Sequence, residues 1–138
     1  MKTALTDKTV DLITKSLPLM ERNRSQLGSG LGRYMARCGH HDPSAGGKVA
    51  RGALTDMLLD HAREIAGARP LLRLEETARR HRVLGLTAEH YACFGDGLGA
   101  VIKDVLGTNA SPALLAAWGD AYWAIVRSVS RAEKLIVA

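Results

Sequence analysis

Six stretches of this sequence repeat apolar residues at three- and four-residue spacing, none alternates apolar with polar residues, and no segment repeats another. Together these features predict an all-α fold. The 138 residues suffice for one sizeable core and not for two, so residues 1–138 read as a single domain.

The first helix is expected over about Asp7 to Met20, with Val10, Ile13, Leu17 and Met20 on one stripe. Pro18 is expected to bend or end it, because proline lacks the N–H and clashes with the preceding turn. A second helix, about Ser25 to Cys38, turns Leu27, Leu31, Tyr34 and Cys38 inward. Its Gly28, Gly30 and Gly32 each lower helicity by about 1 kcal/mol relative to alanine, which predicts a close crossing with another helix. Gly39 to Gly47 reads as a loop from its glycines, Asp42-Pro43 and Ser44.

The third helix, about Lys48 to Ile65, carries Ala50, Leu54, Met57, Leu58 and Ile65 on its apolar face, with His61 on the same stripe. Gly67 can end it. Pro70 can start a fourth, whose stripe of Leu71, Leu74 and Ala78 ends at His81. Thr87 is expected to cap the fifth helix, with Glu89 complementing the dipole and Tyr91, Phe94, Leu98, Ile102 and Val105 facing inward as far as Gly107. Ser111-Pro112 starts the last helix, on which Leu114, Trp118, Tyr122, Ile125 and Val129 share a stripe with Glu133.

Composition narrows the function. The charge of +5 invites a nucleic-acid reading, but Lys and Arg are spread along the chain. The nearest cluster is Arg79, Arg80 and Arg82, and no nucleic-acid-binding motif accompanies it, so no nucleic-acid partner is expected. No run approaches the roughly 18 consecutive apolar residues of a membrane span, and the N-terminus lacks a signal-peptide core. No membrane partner and a cytoplasmic location are expected. Cys38 and Cys93 show neither CxxC nor CxxCH spacing and read as buried free thiols.

Three chemistry-bearing residues remain on apolar stripes. A histidine at the position of His81 is either a hydrogen-bonded core residue or a metal ligand, and the same alternative holds for His61, with the core reading favoured there. Glu133 extends an apolar stripe, where a carboxylate is costly without a partner; otherwise it belongs to a solvated last turn. A histidine that binds iron through one ring nitrogen needs an acceptor for the other, and a carbonyl, tyrosine or carboxylate there sets ligand strength.

The segments TARRH ending at His81, LTAEHY, FGDGL, IKDVLG and LLAAWGDAYW resemble the bacterial haemoglobins of the flavohaemoglobin type, including their single-domain relatives. The resemblance covers about the last two-thirds of the chain, and Leu17, Pro18 and Leu19 are similar to the family's first helix. It implies a globin-like helical fold with haem b (iron protoporphyrin IX) between the third and fourth helices. It also implies His81 as the proximal iron ligand, and Tyr91 and Glu133 as the pair that orients and strengthens it. The cofactor-binding residues expected on this basis are Val49, Ala53, Met57, Arg80, His81, Phe94 and Leu98, with Arg80 placed to meet a haem propionate and Arg79 as its alternative.

The distal side departs from the family. In register from Pro18, the position of the family's oxygen-binding tyrosine is Gly32; counting back from His81, that of its glutamine is Val49. The corner between the second and third helices is shorter by several residues, and no phenylalanine precedes Phe94. Tyr34, His40 and His41 are the alternative distal groups, and an apolar pocket is the remaining outcome. The resemblance implies a haem protein for diatomic gas (O2, NO or CO), with NO dioxygenation or other redox chemistry fed by a separate reductase. The other function class is a globin-fold sensor or interaction module that has lost haem.

Overall fold

The computed structural model describes residues 5–37, 45–67 and 74–137, with the backbone alone for 45–51 and 135–137. The described residues form six α-helices and no strand. They are α1 (Asp7–Arg22), α2 (Arg24–Arg37), α3 (Ala45–Ala66), α4 (Leu74–Leu84), α5 (Ala88–Leu106) and α6 (Pro112–Val137), with a single 3-10 turn at Gly107–Asn109. This is the all-α, globin-like architecture that the periodicity and the resemblance lead one to expect.

Local chemistry sets most of the boundaries. Thr6 caps α1 by accepting a hydrogen bond from the Thr9 N–H, and Ser111 caps α6 through the Leu114 N–H. At α5 the Thr87 N–H donates to His90 Nδ1 at 3.0 Å. Gly85 ends α4 with φ +75, a backbone state that disfavours any side chain. Of the two effects expected of Pro18, it does not end the helix: α1 continues through it to Arg22. Tertiary packing explains this, because Ile13 and Met20 on either side of the proline are both fully buried. His81 lies in the last turn of α4, near the helix end as expected.

The core joins all six helices. Trp118 and Tyr122 of α6, Phe94 and Ile102 of α5, Leu54 and Leu58 of α3, and Ile13 and Met20 of α1 are all buried. Trp118 is tied to α1 by its Nε1–H, which donates to Ser16 Oγ at 2.9 Å. The close crossing expected of the second helix is made against α5. A methyl group at Gly30 would lie 2.7 Å from Val101 Cγ1, and one at Gly97 would collide with the ring of Tyr34. Cys93, on the same helix as Gly97, is buried and disulfide-bonded, which corrects the expectation of a free thiol. Its sequence partner Cys38 lies outside the described residues.

Arg24 joins three helices, reaching Asp56 at 2.6 Å, Asp60 at 3.3 Å and Glu21 at 3.3 Å. Arg63 adds a two-pronged contact to Glu21 at 2.8 Å, and these hydrogen bonds hold the Glu21 carboxyl below its ordinary pKa against the opposing effect of burial. Such half-exposed pairs stabilise by only about 0–1 kcal/mol each, so their role is to fix the register of α1 and α2 on α3.

Candidate functional site

α3 and α4 flank a cleft of about 480 Å3. On α3, Ala53, Met57 and His61 lie four residues apart and so share a face; on α4, Thr77 and His81 do the same. Arg80 completes that wall beside His81.

His81 is 2% exposed, and its Nδ1 lies 2.8 Å from the Tyr91 hydroxyl in a buried hydrogen bond. Burial pushes its pKa down to about 4, assisted by the positive charge of Arg80 and by His61, while a hydrogen bond to the Ala53 backbone carbonyl opposes the shift. The ring is therefore neutral at ordinary pH, the form in which imidazole binds metals. The direction of the bond between Nδ1 and the Tyr91 hydroxyl follows the tautomer of the ring: Nδ1 accepts when the proton is on Nε2 and donates when it is on Nδ1.

Tyr91 stands on the first turn of α5 and is itself buried. Burial, then the negative charge of Glu133, raise its hydroxyl pKa well above the ordinary value, so it keeps its proton. Tyr122 donates to the Tyr91 backbone carbonyl at 2.7 Å, which fixes that turn against α6. Glu133 is half-buried on α6, in a second cavity of about 470 Å3 whose walls include Tyr91, Leu86, Val126 and Trp123. Among the described residues no hydrogen bond joins Glu133 to His81 or Tyr91; it acts on Tyr91 through charge. Tyr91 occupies the place beside Nδ1 in which Glu133 was an alternative acceptor.

Of the residues expected to bind a cofactor, Ala53, Met57, Arg80 and His81 come together on the cleft. Phe94 and Leu98 do not line it: they are buried in the core, Phe94 stacked on Tyr122 with ring centroids 5.1 Å apart. Tyr34 does not line it either, since its ring packs on Gly97 with the Arg37 guanidinium 5.8 Å from its centroid. Gly32 is buried on α2. His40 and His41 lie outside the described residues, as does the shortened corner, and Val49 is described in its backbone only.

His61 is hydrogen-bonded and 3% exposed, in keeping with the core reading. Its partners were missed: Nδ1 lies 2.6 Å from Glu64 Oε1 and Nε2 lies 2.9 Å from Thr77 Oγ1. Glu64 was legible as the i,i+3 neighbour of a buried histidine. Thr77, one turn before His81, carried the signal of a hydroxyl on an otherwise apolar face.

No protein-family model matches the chain. It is 31% identical over 128 residues to the flavohemoprotein of Chromobacterium violaceum, covering 86% of this chain and 31% of that protein. It is 27% identical over 140 residues to that of Bacillus subtilis, covering 94% of this chain and 34% of the relative. Over 87 residues it is 36% identical to that of Bordetella pertussis, covering 62% of this chain and 22% of the relative. The chain is a globin-like relative of the flavohaemoproteins. It spans about a third of the length of the Chromobacterium and Bacillus proteins.

The relatives are named flavohaemoproteins, so the fit of this chain's residues to haem can be tested. Within the cleft the neutral imidazole of His81, the apolar surfaces of Ala53 and Met57 and the cation of Arg80 suit a planar iron macrocycle with carboxylates at its rim, while Asp56, Asp60, Glu64 and Glu76 on the same lining would repel such a rim and so confine it to the side of Arg80. Among the described residues no group of three or more His, Cys, Asp or Glu side chains is placed to hold a bare metal ion. No helix among the described residues is long and apolar enough to cross a membrane.

Proposed function

We propose that the chain binds haem b through Nε2 of His81 and serves the chemistry of a diatomic gas, O2, NO or CO. The observation that carries this reading is the buried 2.8 Å hydrogen bond between His81 Nδ1 and the Tyr91 hydroxyl, with the charge of Glu133 behind it. When bound, haem supplies an iron centre for gas binding and electron transfer. The protein's part is to set the proton positions around the ligand. Ligation through Nε2 would require the proton to sit on Nδ1, with Nδ1–H donating to the Tyr91 hydroxyl. The Tyr91 hydroxyl is then free to donate toward Glu133, and the carboxylate makes Tyr91 a better acceptor and His81 a stronger ligand. A cytoplasmic NO dioxygenase or related redox protein served by a separate reductase is the activity that this electron-rich ligand favours. In the absorption spectrum of freshly purified protein, a Soret band is expected; a protein that shows none, and gains none on titration with hemin, ends the reading.

A second reading is a globin-fold interaction or sensor module without haem. It is favoured by one feature, the His81 ring already buried and hydrogen-bonded to Tyr91. The same titration separates the two.

A further inference from the structure

We infer that His61 is a positioning residue for His81, acting through Thr77 to fix the rotation and seat of the ligand helix. This deepens the haem reading and rests on it for its functional meaning, although the coupling belongs to the polypeptide itself.

α4 is tied to α3 by the hydrogen bond between His61 Nε2 and the Thr77 hydroxyl at 2.9 Å. Thr77 and His81 are four residues apart, about 6 Å along one face of α4, so a restraint on the first sets the azimuth of the second. The short bond from His61 Nδ1 to Glu64 Oε1 at 2.6 Å holds the imidazole from its other side. A carboxylate accepts only, which puts the His61 proton on Nδ1 and makes Nε2 the acceptor of the Thr77 hydroxyl proton. Glu64, His61 and Thr77 thus form a directed chain from α3 to α4.

Among the described residues no hydrogen bond joins His61 to Tyr91 or Glu133, and both its nitrogens are occupied, so it is not itself a ligand. Its place in the cleft beside His81 is what gives it influence. Without the bond to Thr77, α4 loses this polar tie to α3 and is freer to turn about its own axis, within the limits of its packing against α6. The His81 ring then loses its fixed relation to the Tyr91 hydroxyl.

The test uses the haem-free protein, so that failure to bind haem and failure of the coupling are distinguishable. Two quantities are read in each variant: the rate at which diethyl pyrocarbonate modifies His81, followed by peptide mass spectrometry, and the ring 15N shifts of His81, which report its tautomer. Thr77→Val and His61→Ala are expected to raise the modification rate about tenfold or more and to mix the two tautomer signals. Thr77→Ser keeps the hydroxyl. His61→Gln can donate to Glu64 and accept from Thr77, so both are expected to stay near wild type. The double variant His61→Ala/Thr77→Val should exceed neither single change, because both cut one chain. If His61→Ala fails to fold, Thr77→Val, which preserves the side-chain volume, decides alone. Unchanged His81 reactivity and shifts in Thr77→Val overturn the inference, as does a His61→Gln variant that behaves like the valine one.

Discussion

The two ends of the α3–α4 cleft each bury a histidine, and they do so in opposite ways. His61 is held from both sides by side chains, a carboxylate and a hydroxyl, and both of its nitrogens are committed. His81 has a phenol on Nδ1 and, among the described residues, no side chain bonded to Nε2, and it stands beside the positive charge of Arg80. A phenol leaves the ring neutral, and Nε2 can take a partner without stranding a charged side chain. Burial alone therefore does not mark a ligand; what marks it is a nitrogen to which no side chain is already committed.

The largest expected effect tests that contrast directly. His81→Ala should abolish the Soret band and added imidazole should restore it, because the cavity left by the side chain admits the free ring. A band that persists in His81→Ala without imidazole would mean that His61 gives up its partners to bind iron, and the contrast between the two ends would be lost.

The next effect is on acid stability of the haem-free protein. The folded-state pKa of His81 is about 4 and the ordinary value is 6.5. Between those values the unfolded chain takes up a proton that the folded chain refuses, so stability falls as the pH drops from about 6.5 to about 4, and this contribution levels off below. The loss is up to about 3 kcal/mol. Urea unfolding at a series of pH values checks it: His81→Gln should show a shallower slope in that window, and a parallel slope would remove the desolvated-histidine account.

Tyr91→Phe removes the hydrogen-bond partner of Nδ1 and leaves a buried ring nitrogen unpaired, which should destabilise the haem-free chain by about 1–3 kcal/mol. Thermal unfolding measures this, and an unaltered midpoint would assign the 2.8 Å contact no energetic role. Glu133→Gln acts one step further away, through charge on Tyr91. In the loaded protein it should weaken the iron–histidine stretch seen by resonance Raman and raise the reduction potential, by less than Tyr91→Phe does. A stretch that ignores Glu133→Gln would confine the influence on His81 to Tyr91. Smallest is Arg80→Ala, which removes an exposed cation worth about 0–1 kcal/mol and should speed haem loss by a factor of about five at most. It should also let the His81 pKa rise toward 6.5, since the arginine is one of the causes holding it down.

The uneven legibility of this chain has a physical basis. Helical stripes placed His81, Tyr91 and Glu133 on inward faces, and the structure brings His81 and Tyr91 within a hydrogen bond. Spacing within helices could not decide which of Tyr91 and Glu133 meets the ring, because that depends on how α6 packs against the start of α5. Phe94 and Leu98 illustrate the same limit: their stripe was read correctly as buried, yet burial put them in the core around Tyr122 and not on the cleft. The tie from His61 to Thr77 spans sixteen residues and two helices, and nothing local to either residue announces it. Pro18 was read from intrinsic propensity, whose cost of about 3 kcal/mol is smaller than what the buried residues on either side of it can offset.

The burial of His81, 2% exposed, has a kinetic consequence. A ring so covered must be uncovered before anything as large as haem can take its Nε2. Uptake of hemin should accelerate with concentration only until opening becomes the slower event, and then reach a plateau set by the protein alone. Stopped-flow mixing reads that plateau as a first-order rate constant, which is the opening rate of the cleft itself.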